Sequence, residues 1–293
     1  MNNIIEIKDL TKYYGKTKGI ENLSLDIKEG EIFGYIGPNG AGKSTTIRLM
    51  LSLIFPDSGS VKIFGLDAFK NSDIISQEIG YLPSEVFYYE NMKVKDFFKY
   101  NASFYQRDCK KRTKELCEIL ELDENRKIRS LSYGNRKKVG IIQGLMHQPR
   151  ILILDEPTGG LDPLMQKRFF DLIKEENQRG TTVLFSSHIL SEVRRICDRV
   201  GLIKDGQLIQ VSTIQEIFSQ SYKKIEIETK DSKYISLKEL EGVSKFSLEG
   251  SKVHFLYQGQ LDVLLSKLNE IKITDLLISE PELEEIFLQY YEK

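Results

Sequence analysis

No stretch of this 293-residue sequence approaches the roughly 20 consecutive apolar residues that a membrane-crossing helix needs. It opens Met1-Asn2-Asn3-Ile4, without the basic and apolar regions of a secretory signal, so a cytoplasmic location is expected. Cysteine is scarce. Cys109, Cys117 and Cys197 are odd in number and show no CxxC spacing, which speaks against a disulfide framework or a zinc site and leaves buried or idle thiols. Positive charge is not in excess either: 42 Lys and Arg stand against 43 Asp and Glu, a net charge of -1, so nothing in the balance favours the phosphates of nucleic acid as a partner. Internal repeats and low-complexity tracts are absent.

What is present is an ordinary globular composition, 40% hydrophobic and 29% charged, in a chain long enough for one large core and a smaller module. Strand-like runs at 4–10, 31–36, 151–154 and 181–185 alternate with helical stretches such as 44–53 and 163–178. Such alternation implies a parallel sheet covered by helices. Between them, residues 94–142 read as helical, with Phe97, Phe98, Phe104, Leu116 and Leu120 set among charged residues, which predicts a helical subdomain over about 86–145. Composition shifts after Gly206, since six of the seven prolines precede it, and Ser212 followed by Glu216 resembles a helix start leading out of the first domain. The boundary is therefore expected near Phe218, giving domains of 1–218 and 219–293. The second reads as a strand (224–229), a short helix (237–241), two strands around Gly250, a helix (261–270), a strand (273–279) and a final helix from Glu282. That order predicts a small α+β ferredoxin-like sandwich with one extra helix.

Gly37-Pro38-Asn39-Gly40-Ala41-Gly42-Lys43-Ser44 fits GxxxxGK[ST] and lies between an apolar strand ending at Ile36 and a helix carrying Leu49 and Leu53. Glycines let successive backbone N–H groups turn inward around a phosphate, and the helix N-terminus adds partial positive charge. Gly37, Asn39, Gly40, Gly42, Lys43, Ser44 and Thr45 are thus the candidate phosphate contacts, with Lys43 bridging the β- and γ-phosphates and Ser44 a ligand for Mg2+. The run 151–154 ends in Asp155-Glu156. A carboxylate there can hold Mg2+, the part given to Asp155, and Glu156 can polarise the attacking water as general base.

Leu131-Ser132-Tyr133-Gly134-Asn135, ahead of a basic helical segment and the Asp155-Glu156 strand, resembles the LSGGQ signature of ATP-binding-cassette (ABC) proteins. Pro157-Thr158-Gly159-Gly160-Leu161-Asp162 resembles the D-loop of that family, His188 its switch histidine, and Tyr14 the aromatic that stacks on adenine. The resemblance spans residues 4 to about 210. It implies a P-loop NTPase cassette of the α/β class, with a parallel-sheet core, antiparallel N-terminal strands and a helical subdomain. ATP and Mg2+ are the implied cofactors. The implied mechanism is head-to-tail dimerisation, with Ser132 and the Gly134 backbone of one copy touching the γ-phosphate held by Lys43 of the other. His188 would contact γ-phosphate and attacking water, and Asp162 would link the two sites.

Three positions depart from the pattern. Tyr133 replaces a glycine, Asn135 a glutamine, and the Q-loop glutamine falls on Ser84, with Glu85 the candidate to replace it. Phe87-Tyr88-Tyr89 follow, where the family presents a groove to its membrane subunit; these aromatics read equally as groove or as subdomain core. His147 and His254 receive no role. The segment Glu280-Pro281-Glu282-Leu283-Glu284-Glu285-Ile286-Phe287 resembles the closing helix of ABC-2 exporter ATPases, including bacitracin-type resistance transporters. The resemblance therefore implies an ATP-hydrolysing exporter subunit, peripheral on the inner face of the cell membrane through a separate transmembrane permease, and working as a homodimer or beside a homologous ATPase. Two other readings stand beside it: a soluble ABC ATPase acting on ribosome or DNA, and a nucleotide-dependent regulatory module with little turnover.

Overall fold

A computed structural model describes residues 2–86, 88–216 and 222–279, which fall in two compact units, Met1–Ile214 and Gln215–Lys293. In the first, β1 (Asn3–Tyr14), β2 (Thr17–Lys28), β4 (Ser58–Ile63) and β5 (Leu66–Asp67) form an antiparallel sheet in the order β2-β1-β4-β5. Along β2, Leu23, Leu25 and Ile27 are buried and their neighbours are not, the period-2 pattern of a sheet with one face on the core.

A second sheet takes the order β10-β9-β3-β8-β7-β6. Its strands β6 (Ile79–Leu82), β7 (Ile151–Asp155), β8 (Thr182–Ser187), β3 (Ile32–Ile36) and β9 (Arg199–Lys204) are parallel, and β10 (Gln207–Thr213) closes the edge antiparallel to β9. Every residue of β3, β7 and β8 is buried. Strands covered on both faces read as continuous apolar runs, which is why 151–154 shows no alternation. Helices α1 (Lys43–Met50), α6 (Pro163–Gln178) and α7 (Leu190–Ile196) follow β3, β7 and β8, and a short α2 (Ser72–Ser76) precedes β6.

Between β6 and β7 lie α3 (Val94–Ala102), α4 (Lys110–Ile119), a 3-10 turn at Ile128–Ser130 and α5 (Tyr133–Leu145). Phe97, Phe98, Leu116 and Leu120 are buried there, whereas Phe104 is exposed. All three cysteines are free and buried, and burial pushes the Cys117 thiol up to about 12.

Ser212 is itself a β10 residue opposite Val200, and the helix expected to open there begins two residues on, at Ile214. Asp205 and Gly206 both take positive φ, 47° and 77°, and turn the chain into a tight β9–β10 hairpin whose ladder runs to Thr213 and sets the helix start just past it.

In the second unit, β11 (Lys223–Thr229), β12 (Val243–Glu249), β13 (Lys252–Tyr257) and β14 (Ile273–Ser279) form an antiparallel sheet in the order β12-β13-β11-β14, with α8 (Leu261–Leu268) between β13 and β14. This is the strand order of a split βαββαβ sandwich. The first connection is a 3-10 stretch, Ser232–Glu239, rather than a helix at 237–241, because the Asp231 side chain accepts from the Lys233 N–H at 3.0 Å and starts the turn earlier. The expected boundary near Phe218 and the final helix from Glu282 lie outside the described residues.

Candidate nucleotide site

The loop between β3 and α1 owes its path to glycine. Gly40 and Gly42 have φ of 80° and 107°, and a Cβ on Gly42 would come within 2.8 Å of both the Gly19 carbonyl and Ile20. The loop bounds a cavity of about 360 Å³ lined by Tyr14, Lys18, Gly19, Pro38 to Thr45, Ser84 and Glu156. Lys43 is nearly buried beneath it. Its ammonium donates to the Gly37 carbonyl at 2.6 Å and the Pro38 carbonyl at 3.2 Å, and stands 3.4 Å from Glu156 Oε1.

The other groups come from the ends of neighbouring strands. The Ser44 hydroxyl donates to Asp155 Oδ2 at 2.8 Å, and the Ser186 hydroxyl to Asp155 Oδ1 at 3.1 Å. Glu156 adopts φ 49°, a left-handed turn that aims Oε2 at His188 Nδ1, 2.8 Å away. Asp155 and His188 do not line the cavity themselves; they touch Ser44 and Glu156, which do. Gly37 contributes its carbonyl to Lys43, and Asn39, Gly40 and Thr45 line the wall. Tyr14, at the end of β1, is 44% exposed and forms the rim.

Ser132, Gly134 and Asp162 are not brought to this cavity. Ser132 caps α5, accepting from the Asn135 N–H at 3.3 Å, and Asp162 caps α6, accepting from the Met165 N–H at 2.9 Å. They share a separate face, where a Cβ on Gly134 would lie 2.9 Å from the Gly160 carbonyl. Tyr133 covers Gly160 and stays 56% exposed. A Cβ on Gly160, whose φ is 78°, would lie 2.1 Å from the Tyr133 ring. Gly160→Ala should therefore cost about 1–3 kcal/mol in urea unfolding, the range for a side chain forced into left-handed backbone, and Gly160→Ala with Tyr133→Gly should recover the part due to the ring. An unchanged unfolding midpoint would mean that this turn is not held as described.

Glu85 is exposed and does not line the cavity, while Ser84 does. Of the aromatics, Phe87 lies outside the described residues. Tyr88 turns inward, its hydroxyl donating to the Arg136 carbonyl at 2.9 Å and its ring meeting Phe97 edge-on at 5.1 Å. Tyr89 turns outward, edge-on to Tyr100, which in turn meets Phe104. Tyr88 thus belongs to the subdomain core, and Tyr89 to its surface.

Sequence reasoning missed Lys137, which is 0% exposed, and Glu192, whose buried carboxylate accepts from Thr158 at 2.6 Å and Ser187 at 2.9 Å. The run Arg136-Lys137-Lys138 was the available signal for the lysine, but it reads as a solvent-facing basic helix.

The donors fit a nucleotide with its metal. Hydroxyl and carboxylate oxygens in contact at Ser44 and Asp155 are the hard ligands Mg2+ takes, usually together with substrate phosphates. Among known proteins, the ABC transporter family profile matches residues 20–159. The bacitracin transport ATP-binding protein BcrA of Bacillus licheniformis is 35% identical over 99% of this chain and 97% of its own length. The linearmycin resistance ATP-binding protein LnrL of Bacillus subtilis is 35% identical over 74% of this chain and 71% of its own. A solved ATP-binding subunit of an ABC transporter superposes with a TM-score of 0.70 at 28% identity, covering 74% of this chain and 92% of that one. A dimeric bacterial ABC transporter cassette gives 0.66 at 27%, covering 72% and 98%. These likenesses do not favour the ribosome or DNA ATPase or the regulatory module. With a phosphate loop, a paired acidic strand end and an adjacent histidine at the C-terminal ends of neighbouring parallel strands, and a relative matched almost end to end, the chain belongs to the ABC transporter family, as an ATP-binding subunit that hydrolyses ATP for transport.

Proposed function

We propose that this subunit is the cytoplasmic motor of an exporter, peripheral on the inner face of the membrane beneath a separate transmembrane permease, and that it closes on a second copy or a homologous ATPase when ATP binds. The observation that carries this reading is the division of the motif residues between two faces: Lys43, Ser44, Asp155, Glu156 and His188 meet at the cavity, whereas Ser132, Gly134 and Asp162 face elsewhere. A cavity missing part of its motif set in one chain is completed by another.

In the proposed roles, Tyr14 stacks on adenine and the loop N–H groups and Lys43 hold the phosphates. Ser44 and Asp155 would hold Mg2+, which supplies neutralisation of charge on the phosphate oxygens. Glu156 takes the proton of the attacking water, and His188, hydrogen-bonded to Glu156, fixes its carboxylate and reaches the γ-phosphate. Ser132 and the Gly134 backbone meet that phosphate from the second copy, and Asp162 joins the two sites. The exposed row Tyr89, Tyr100 and Phe104 is the proposed docking surface for the permease. Among the described residues no helix is long and apolar enough to cross a membrane, in keeping with a separate permease. The bacitracin and linearmycin relatives support an antibiotic as cargo.

Purification of the tagged chain from gently detergent-solubilised native membranes, followed by mass spectrometry, tests this. A polytopic protein without its own ATPase is expected at stoichiometric level. Recovery only from the soluble fraction, alone or with ribosomal or DNA-bound proteins, would keep the ATPase and discard the transporter.

A further inference from the structure

A lysine ammonium carries three N–H donors and accepts nothing. Lys137, on the first turns of α5 and fully buried, uses those donors on three carbonyls: Pro83 at 3.2 Å, Ser84 at 3.0 Å and Glu156 at 3.2 Å. Among the described residues it forms no ion pair. A cation is costly in such a place, and burial lowers its pKa to about 8 although the nearby charges of Asp155 and Glu156 oppose that. A leucine or methionine would fill the same space without this cost, so the charge has to be explained by what it holds.

It holds Glu156. The Glu156 N–H donates to the Ser186 carbonyl at 3.0 Å and its own carbonyl accepts from Lys137, so both ends of this residue are pinned in a left-handed conformation that a glutamate rarely adopts. From that turn the carboxylate reaches His188 and Lys43. The same ammonium grips the 83–84 segment beside the cavity, and its helix begins at Ser132. α5 can come this near because Gly140 has no side chain where Leu82 and the Tyr88 hydroxyl would lie 2.7 Å from a Cβ.

We infer that Lys137 is a positioning residue for hydrolysis, tying the helix that starts at Ser132, the 83–84 segment and the backbone of Glu156 into one unit, so that a shift of α5 on closure is delivered to Glu156. This role rests on the reading of Glu156 as the general base. In this chain the tie runs through Ser84's main chain, which needs no long side chain at that position.

Lys137→Met removes all three donors at similar length, whereas Lys137→Gln keeps an amide able to serve two of the carbonyls. In the purified full chain, Lys137→Met is expected to lower kcat for phosphate release about 100-fold, the loss that misplacing a reacting group by an ångström can bring, with the Kd for a fluorescent ATP analogue within about threefold of the parent. Lys137→Gln should restore most of that rate. A Lys137→Met chain that melts as the parent does and turns over at the parental rate overturns the inference. So does a kcat and nucleotide binding that fall together with the folded fraction, in both variants, since that is a purely structural lysine. Failure of the general-base reading looks different: Glu156→Gln would then hydrolyse ATP normally.

Discussion

Glu156→Gln is expected to stop steady-state phosphate release, lowering it about 10²–10⁴-fold, while ATP still binds and a nucleotide-loaded dimer accumulates. The change is isosteric and removes only the negative charge and the basic oxygen. The amide still meets His188 where the carboxylate does now, 2.8 Å from Nδ1, and the loop, Lys43 and the Ser44–Asp155 pair are untouched. Binding groups are thus kept and the proton acceptor lost. Without hydrolysis the γ-phosphate charge that joins the two copies persists, which turns a transient association into a lasting one. Phosphate release and size-exclusion chromatography with ATP read both effects. Unchanged turnover would sink the general-base assignment, and lost turnover without a dimer would count against the paired-copy reading.

The second large effect is expected at Lys43. Its ammonium supports Gly37 and Pro38 from below and faces Glu156 Oε1, an oxygen with no hydrogen bond of its own among the described residues. Lys43→Ala removes the charge-assisted donor to the phosphates, worth about 1.5–3 kcal/mol, and also the struts that hold the loop open. ATP affinity should therefore fall by about 10- to 100-fold or more on that magnitude. Lys43→Arg should rescue little, since a planar fork does not fit where a compact ammonium reaches two carbonyls of one tight loop. A Kd for the fluorescent analogue within about threefold of the parent would show that the glycine loop alone carries the binding.

What was legible in the sequence is what depends on local geometry. The phosphate loop needs glycine at left-handed positions, and a strand buried on both faces shows as Ile151-Leu152-Ile153-Leu154 ending in acids. Positions set by packing between distant segments were not legible. Lys137 sits in a basic run, and only the close approach of α5 through Gly140 turns it inward. Glu192 lies in α7, past His188 and outside the motif residues, and gains its meaning from Thr158. The helix start read at Ser212 comes two residues later, at Ile214, because the β10 ladder opposite Val200 and Arg199 holds Ser212 and Thr213 in the strand; Asp205-Gly206 is itself a strong signal for that hairpin. The separation of Ser132, Gly134 and Asp162 from the cavity could not be read from one chain's sequence except through resemblance.

That separation has a kinetic consequence. Under the proposed pairing, a free chain in dilute solution is idle until it meets another, so its rate should rise with the square of protein concentration before saturating. Two cassettes held side by side on a permease face one another at an effective concentration of about millimolar, as tethered sites do. The membrane protein would then act on the ATPase before any cargo arrives, by abolishing its dependence on dilution, and the ratio of tethered to free specific activity would measure how weakly two bare chains attract one another.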